Sequence, residues 1–241
     1  MEALVLPRGA RSRNVRAGAA FGILSGILVA AAFLIPMPTG TTAQQLANFD
    51  SRTWEFIGIV DVLVLLTAIP FAAYLRSVLE GRAPGTASAA AILFILGVAV
   101  GAGASVVQVI GLGTLSSAYT STSATAADRA AAVVSASVLN AVATSLFPIV
   151  LLEAGIVGFS AAMVNSRTFP NWVADVGVAS TVFAILYFAV AAYVPSIGST
   201  SLVGFLFVLA FLVLLEIWIF ACAGYLYRAA RPAPVRAPTP A

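Results

Sequence analysis

The chain has 241 residues, of which 61% are hydrophobic and 9% are charged, and its formal net charge is +3. Soluble domains contain about 25% charged residues, so this composition excludes a soluble domain and favours a membrane protein. The sequence has no histidine, no lysine and one cysteine, Cys222. This excludes His-ligated haem, Schiff-base cofactors and cysteine metal sites, and we expect no cofactor, no metal and no catalytic residue.

Six apolar windows are each long enough to cross a hydrocarbon layer about 30 Å thick as a helix. The strands of a closed β-barrel would alternate with period two, whereas these runs are continuous. The predicted fold is an all-α, polytopic bundle of six transmembrane helices. The predicted spans are residues 17–37, 54–76, 88–112, 131–164, 172–194 and 201–227.

These spans divide the chain into three parts. Residues 1–16 form an Arg-rich cytoplasmic N-terminus, and residues 17–227 form the six-helix transmembrane domain. Residues 228–241 form a tail rich in Pro and Arg, which we expect to be disordered because such a composition cannot bury a core.

The arginines predict the orientation of the chain. Only Arg52 and Arg129 lie on one side of the predicted membrane. The ten on the other side are Arg8, Arg11, Arg13, Arg16, Arg76, Arg82, Arg167, Arg228, Arg231 and Arg236. Because short cytoplasmic loops are enriched in basic residues, both termini are predicted to be cytoplasmic. The pI of about 9.4 then reflects topology, and we expect no nucleic-acid partner.

The first span has two interpretations. Its Arg-rich start and the alanines at 30–32 resemble a cleavable signal peptide. The apolar run continues to Met37, which favours a retained anchor, and we prefer that interpretation. The same helix carries Gly18, Gly22 and Gly26, two overlapping GxxxG steps that allow close helix packing.

The predicted outer loops are residues 38–53, 113–130 and 195–200. Thr125 and Asp128 match a capping box, so a helix is predicted to start near residue 126, outside the membrane. A similar polar stretch, Thr41–Ser51, precedes the second span. We expect the two stretches to form a small extracytoplasmic cap.

The third span repeats the small-residue pattern at Gly97 and Gly101. Stripes of this kind pack helices within one bundle or form a homodimer face. We prefer internal packing, with a homo-oligomer or another membrane protein as the alternative partner beside the lipid bilayer.

Three carboxyl groups lie inside the predicted membrane. Glu153 and Glu216 are each 12 residues from the cytoplasmic end of their helix, about 18 Å along the axis and near the midplane. Asp61 lies nearer the outer boundary, at the depth of Gln108 and Asn140. An ionised carboxylate costs roughly 2.5–3.5 kcal/mol in the membrane centre, and no arginine lies at that depth to compensate. These five residues are the candidate polar or coupling groups.

The stretch from Leu151 to Leu186 combines an apolar helix, the segment Asn-Ser-Arg-Thr-Phe-Pro-Asn-Trp and a helix rich in Gly and Ala. Pro170 and Trp172 carry a resemblance to uncharacterised bacterial six-helix membrane proteins of the DUF4386 type. The resemblance implies a fold and a bacterial membrane, and it implies no reaction.

Two functions are compatible with these observations. The preferred one is a non-enzymatic structural, accessory or sensory subunit of the bacterial plasma membrane. The alternative is a small transporter or channel, coupled to protons or cations, in which Glu153 and Glu216 form the coupling pair.

Overall fold

The structure is a computed structural model that describes residues 10–34, 40–143, 146–193 and 202–229. Within these ranges the chain is helical and contains no strand. The helices are α1 (Ala10–Leu34), α2 (Thr42–Ala47), α3 (Ser51–Leu79), α4 (Pro84–Thr120), α5 (Ala126–Ala143), α6 (Leu146–Ser166), α7 (Asn171–Tyr193) and α8 (Leu202–Ala229). The predicted loop 195–200, the end of the first span at 35–37 and the tail from residue 230 lie outside the described residues.

Five helices are long and apolar enough to cross a membrane, when the consecutive helices α5 and α6 are taken together. A shorter apolar helix covers Val15–Ala31. Each of the six predicted spans falls on one of these helices, and the predicted all-α class is confirmed. The arrangement is consistent with a multi-pass membrane protein.

The six longest apolar segments close into a ring. In the order α1, α3, α4, α6, α7 and α8, each helix packs against the next, and α8 returns to α1. Neighbouring helices run antiparallel, as α1 and α3 show. Gly18 of α1 lies against Tyr74 of α3. Gly22, one turn further along α1, lies against Phe71, which is one turn before Tyr74 in α3. Turns of four residues at 80–83 and 167–170 join two of these pairs, and such short connections favour antiparallel neighbours.

Aromatic side chains fill the centre of the helix bundle. Trp218 of α8 lies with its ring centroid 6.3 Å from those of Phe71, Phe94 and Phe159. All four side chains are buried. Each such pair contributes about 0.5–1.5 kcal/mol beyond the area it buries, so this cluster ties α3, α4, α6 and α8 together at the centre.

A second, smaller core lies at one end of the bundle. It joins α2, the start of α3, the end of α4 and α5 through Leu46, Trp54, Ile57, Leu112, Ala132 and Ala136. This cluster corresponds to the predicted cap. α5 begins at Ala126, as predicted, and Thr125 and Asp128 make the reciprocal bonds of a capping box.

The predicted loop 113–130 is wrong in its first half, because α4 continues to Thr120. The hydropathy of this stretch falls where Ser and Thr replace Leu and Val, but the helix is held by tertiary contacts. Ser116, which is buried, donates a hydrogen bond of 2.7 Å to the carbonyl oxygen of Leu46.

Large apolar side chains cover the outside of the bundle. Examples are Ile110, 66% exposed, and Ile92 and Ile185, each 59% exposed. Soluble monomers rarely expose such a continuous apolar surface, and hydrocarbon is the solvent that these side chains fit.

Candidate functional site

Glu153 is sealed inside the bundle. It lies 13 residues before the end of α6, about 20 Å along the helix axis, and is 3% exposed. Its Oε2 accepts a hydrogen bond of 2.6 Å from Thr181 Oγ1 of α7. Its Oε1 is buried without a hydrogen-bond partner.

The Thr181 hydroxyl has two acceptors for one hydrogen. It lies 2.6 Å from Glu153 Oε2 and 3.2 Å from the carbonyl oxygen of Gly177. When Glu153 is ionised, the hydroxyl donates to the carboxylate. When Glu153 carries a proton on Oε2, the carboxyl donates to Thr181 Oγ1 and the hydroxyl turns to Gly177. A proton on Oε2 therefore reverses the direction of the hydrogen bond between α6 and α7.

Glu216 lies at a different helix seam. Its carboxyl rests against Gly26 of α1, where a Cβ would lie 3.0 Å from Oε2. Both carboxyl oxygens are buried without a hydrogen-bond partner. Glu153 faces α7 and Glu216 faces α1, so the structure does not bring the two carboxyl groups together as the coupling pair that the sequence analysis proposed.

Asp61 is partnered across the α3–α4 seam. Its Oδ2 accepts a hydrogen bond from Ser105 Oγ. One turn further along α4, Gln108 Nε2 donates to Asn140 Oδ1 at 2.8 Å. Asp61, Gln108 and Asn140 therefore lie at neighbouring heights along α4, at the base of the smaller core.

A further polar contact reaches this layer from α2. Asn140 Nδ2 lies 3.4 Å from Gln45 Oε1. The layer thus links α2, α4 and α5 through amide side chains, and it holds the smaller core onto the bundle.

Sequence reasoning missed three of the partner groups: Thr181, Ser105 and Gln45. Serine and threonine are so frequent in this chain that no spacing distinguishes these two from the others. Gln45 stands in the predicted polar stretch Thr41–Ser51 directly after Gln44, and no pattern in that stretch distinguishes it.

The five predicted packing glycines lie inside the bundle. Gly18, Gly22 and Gly26 of α1 face side chains of α3 and α8. Gly97 of α4 meets the backbone of Leu152, and Gly101 faces Pro148. These contacts are between helices of the same chain.

The α6–α7–α8 junction contains two more buried polar atoms. Ser160 Oγ and Trp218 Nε1 have no hydrogen-bond partner, and both lie next to the Cα of Gly177. Together with Oε1 of Glu153 they form a polar seam on one side of α6. Within the described residues no three His, Cys, Asp or Glu side chains converge on a metal-sized site.

Comparison with known families matches residues 17–227 to one family model, described as a domain of unknown function (DUF4386). No curated protein and no solved structure matches the chain. The match covers the whole ring of helices and most of the chain. It agrees with the resemblance carried by Pro170 and Trp172, and the chain belongs to the DUF4386 family.

Proposed function

We propose that this chain is a six-span protein of the bacterial plasma membrane with both termini in the cytoplasm. In this proposal it catalyses no reaction and acts as a structural, accessory or sensory subunit. The observation that supports it best is the aromatic cluster of Phe71, Phe94, Phe159 and Trp218, which occupies the axis of the ring. A bundle closed on itself in this way resembles a scaffold more than a pore.

The test measures the melting temperature of the detergent-purified protein against pH and against sodium concentration. The wild type is compared with Glu153→Gln, which keeps the shape of the side chain and cannot ionise. Glu55→Gln is the matched control, because Glu55 is exposed near the start of α3. For a structural subunit, the three proteins should respond to sodium in the same way, apart from a constant offset.

The second candidate function is a small transporter coupled to protons or cations. One specific observation favours it: Glu153 is 3% exposed, has one oxygen without a partner, and bonds to a hydroxyl that has a second acceptor. A buried carboxyl of this kind must hold a proton, bind a cation or meet water, because a bare charge is costly there.

The same experiment separates the two functions. A transporter should show a melting temperature that rises with proton or sodium concentration, since a ligand of the folded state stabilises it by mass action. Glu153→Gln should lose that response and Glu55→Gln should keep it. Loss of the sodium response would overturn the structural proposal, whereas loss of a pH response alone follows from burying any carboxyl group.

A further inference from the structure

A groove opens to the outside of the bundle along α8, beside α1. Its volume is about 590 Å³, within the range of small-molecule sites. Its walls are almost entirely hydrocarbon. They include Ala30, Leu209, Leu212, Val213, Ile217 and Phe220, with the indole of Trp172 at one end.

Glu216 is the one ionisable side chain in this lining. Both of its oxygens are free of hydrogen bonds in the structure. Gly26 permits this position, because a Cβ there would lie 3.0 Å from Oε2 and 2.9 Å from Phe220 Cζ. The glycine therefore allows the carboxyl to sit between the two helices at the edge of the groove.

Among the residues that the structure describes, no arginine is placed to neutralise this carboxyl. Arg16 precedes Gly26 by 10 residues and Arg228 follows Glu216 by 12, so they lie about 15 and 18 Å away along their helices. Within the described residues, the one ion pair joins Arg76, in the last turn of α3, to Glu80, the residue that follows the helix. An ionised Glu216 therefore requires a cation from outside the chain.

The chemistry of the groove selects the kind of cation. A bare metal ion needs about six oxygen ligands, and this lining offers two. An organic ammonium needs only one or two acceptors for its N–H groups, and its hydrocarbon part matches the walls. Phe220, one helical turn after Glu216, presents a ring that attracts a cation. Because the groove opens toward lipid, the ligand must also partition into hydrocarbon.

We propose that this groove binds a lipophilic amine in its protonated form. The Glu216 carboxyl, whose oxygens are buried against Gly26 in the structure, turns toward the groove and accepts a hydrogen bond from the ammonium, and the apolar body lies along Leu212, Val213 and Ile217. The proposal rests on the second candidate function, for which it names the solute class. An acyl chain of a phospholipid is the competing occupant, and it would not depend on the carboxyl group.

The test is equilibrium binding of tritium-labelled imipramine, a tertiary amine protonated at pH 7, to the purified full chain in lipid nanodiscs. Glu216→Gln should weaken binding at least about tenfold, because a hydrogen bond to a charged group is lost. Unlabelled iminodibenzyl, which has the same ring system but lacks the basic dimethylaminopropyl chain, should not compete. Glu55→Gln is the matched control and should bind as the wild type does, because Glu55 is exposed near the start of α3 and lies outside the groove.

A second variant tests the groove without changing the carboxyl group. Ala30→Trp fills the groove from α1 and leaves Glu216 in place, and it should also abolish binding. Both variants must elute as the wild type does in size-exclusion chromatography. Wild-type affinity in both, or full competition by iminodibenzyl, would overturn the proposal.

The binding experiment and the stability experiment test the groove and the transport function separately. Glu216-dependent binding together with identical stability curves for Glu153→Gln supports the groove as a ligand site and overturns transport. Absence of Glu216-dependent binding overturns the groove proposal, whatever the stability curves of Glu153→Gln show.

Discussion

At Gly97 and Gly155 the backbones of α4 and α6 come into contact. A Cβ on Gly155 would lie 2.5 Å from the backbone nitrogen of Phe94, and one on Gly97 would overlap the backbone nitrogen of Leu152. Such an approach increases van der Waals contact between helices, which drives association where lipid replaces water. The small-residue stripe of α4 predicted Gly97. Gly155 was missed, because the other glycine of α6, Gly158, follows three residues later and the pair does not have the GxxxG spacing.

Gly97→Ala should destabilise the bundle by about 1–3 kcal/mol, as expected for overpacking against backbone that cannot yield. Gly103→Ala in the same helix is the control, because no atom lies within 4 Å of its Cβ position. It should be neutral or stabilising by up to about 1 kcal/mol through helix propensity. The melting temperature in detergent measures both. Equal effects at the two positions would show that the α4–α6 contact does not limit stability.

Thr181 is the only described hydrogen-bond partner of Glu153. Thr181→Val keeps the shape and removes the hydroxyl, so Oε2 of Glu153 loses its partner and neither carboxyl oxygen is hydrogen-bonded within the described structure. We expect a loss of about 1–3 kcal/mol in unfolding free energy, the usual cost of a buried polar group left unpaired. Thr181→Ser should restore most of it. A valine variant as stable as the wild type would indicate that water serves the carboxyl instead.

At the scale of single helices, the polar caps decide where α3 and α5 begin. Asp50 stands before α3, where its carboxylate accepts hydrogen bonds from Thr53 Oγ1 at 2.6 Å and from the backbone N–H of Arg52 at 3.1 Å. The hydrogen bond from Thr53 is the main cause that lowers the pKa of Asp50 below its ordinary value of 3.8. Negative charge at this end of a helix is also favoured by its dipole.

The lowered pKa predicts a pH dependence with a definite sign. Ionised Asp50 stabilises the fold above its unfolded pKa, and this contribution disappears as the pH falls through its folded pKa. Asp50→Asn keeps a capping side chain but removes the charge. The wild type should therefore melt at a higher temperature than Asp50→Asn at neutral pH, and the two should converge at acid pH. A constant difference across the pH range would contradict this interpretation.

The length of α4 shows a limit of reading elements from hydropathy. The apolar signal ends near residue 112, whereas the helix continues to Thr120. Ser116 and Leu112 pack into the smaller core with Leu46 and Ala136. Contacts with α2 and α5 therefore stabilise two further turns whose own sequence is polar, and these contacts join residues about 20 to 70 positions apart.

At the scale of the whole molecule, the outward apolar surface and the arginine distribution together predict a topology. The turn between α3 and α4 should be cytoplasmic and the turn between α4 and α5 extracytoplasmic. The only native cysteine, Cys222, is buried, so Cys222→Ala gives a background for labelling. Glu80 and Ser123 are exposed, one in each turn.

In that background, Ser123→Cys should react with a membrane-impermeant maleimide in intact spheroplasts. Glu80→Cys should react only after the membrane is opened. The reverse pattern would invert the predicted orientation. Labelling of both before lysis would mean that the two turns share one side, contrary to a span through α4.

The amino-acid sequence by itself determined the class of the fold, the six apolar segments and the caps at residues 125–128. These features are local, because a helix in hydrocarbon must satisfy its backbone hydrogen bonds within its own segment. Only the tertiary structure decided which polar groups meet. Glu153 bonds to Thr181, and Glu216 rests on Gly26, because partners depend on how each helix is rotated against its neighbours. That rotation is set by side-chain packing across the ring, which the depth of a residue along its own helix does not specify.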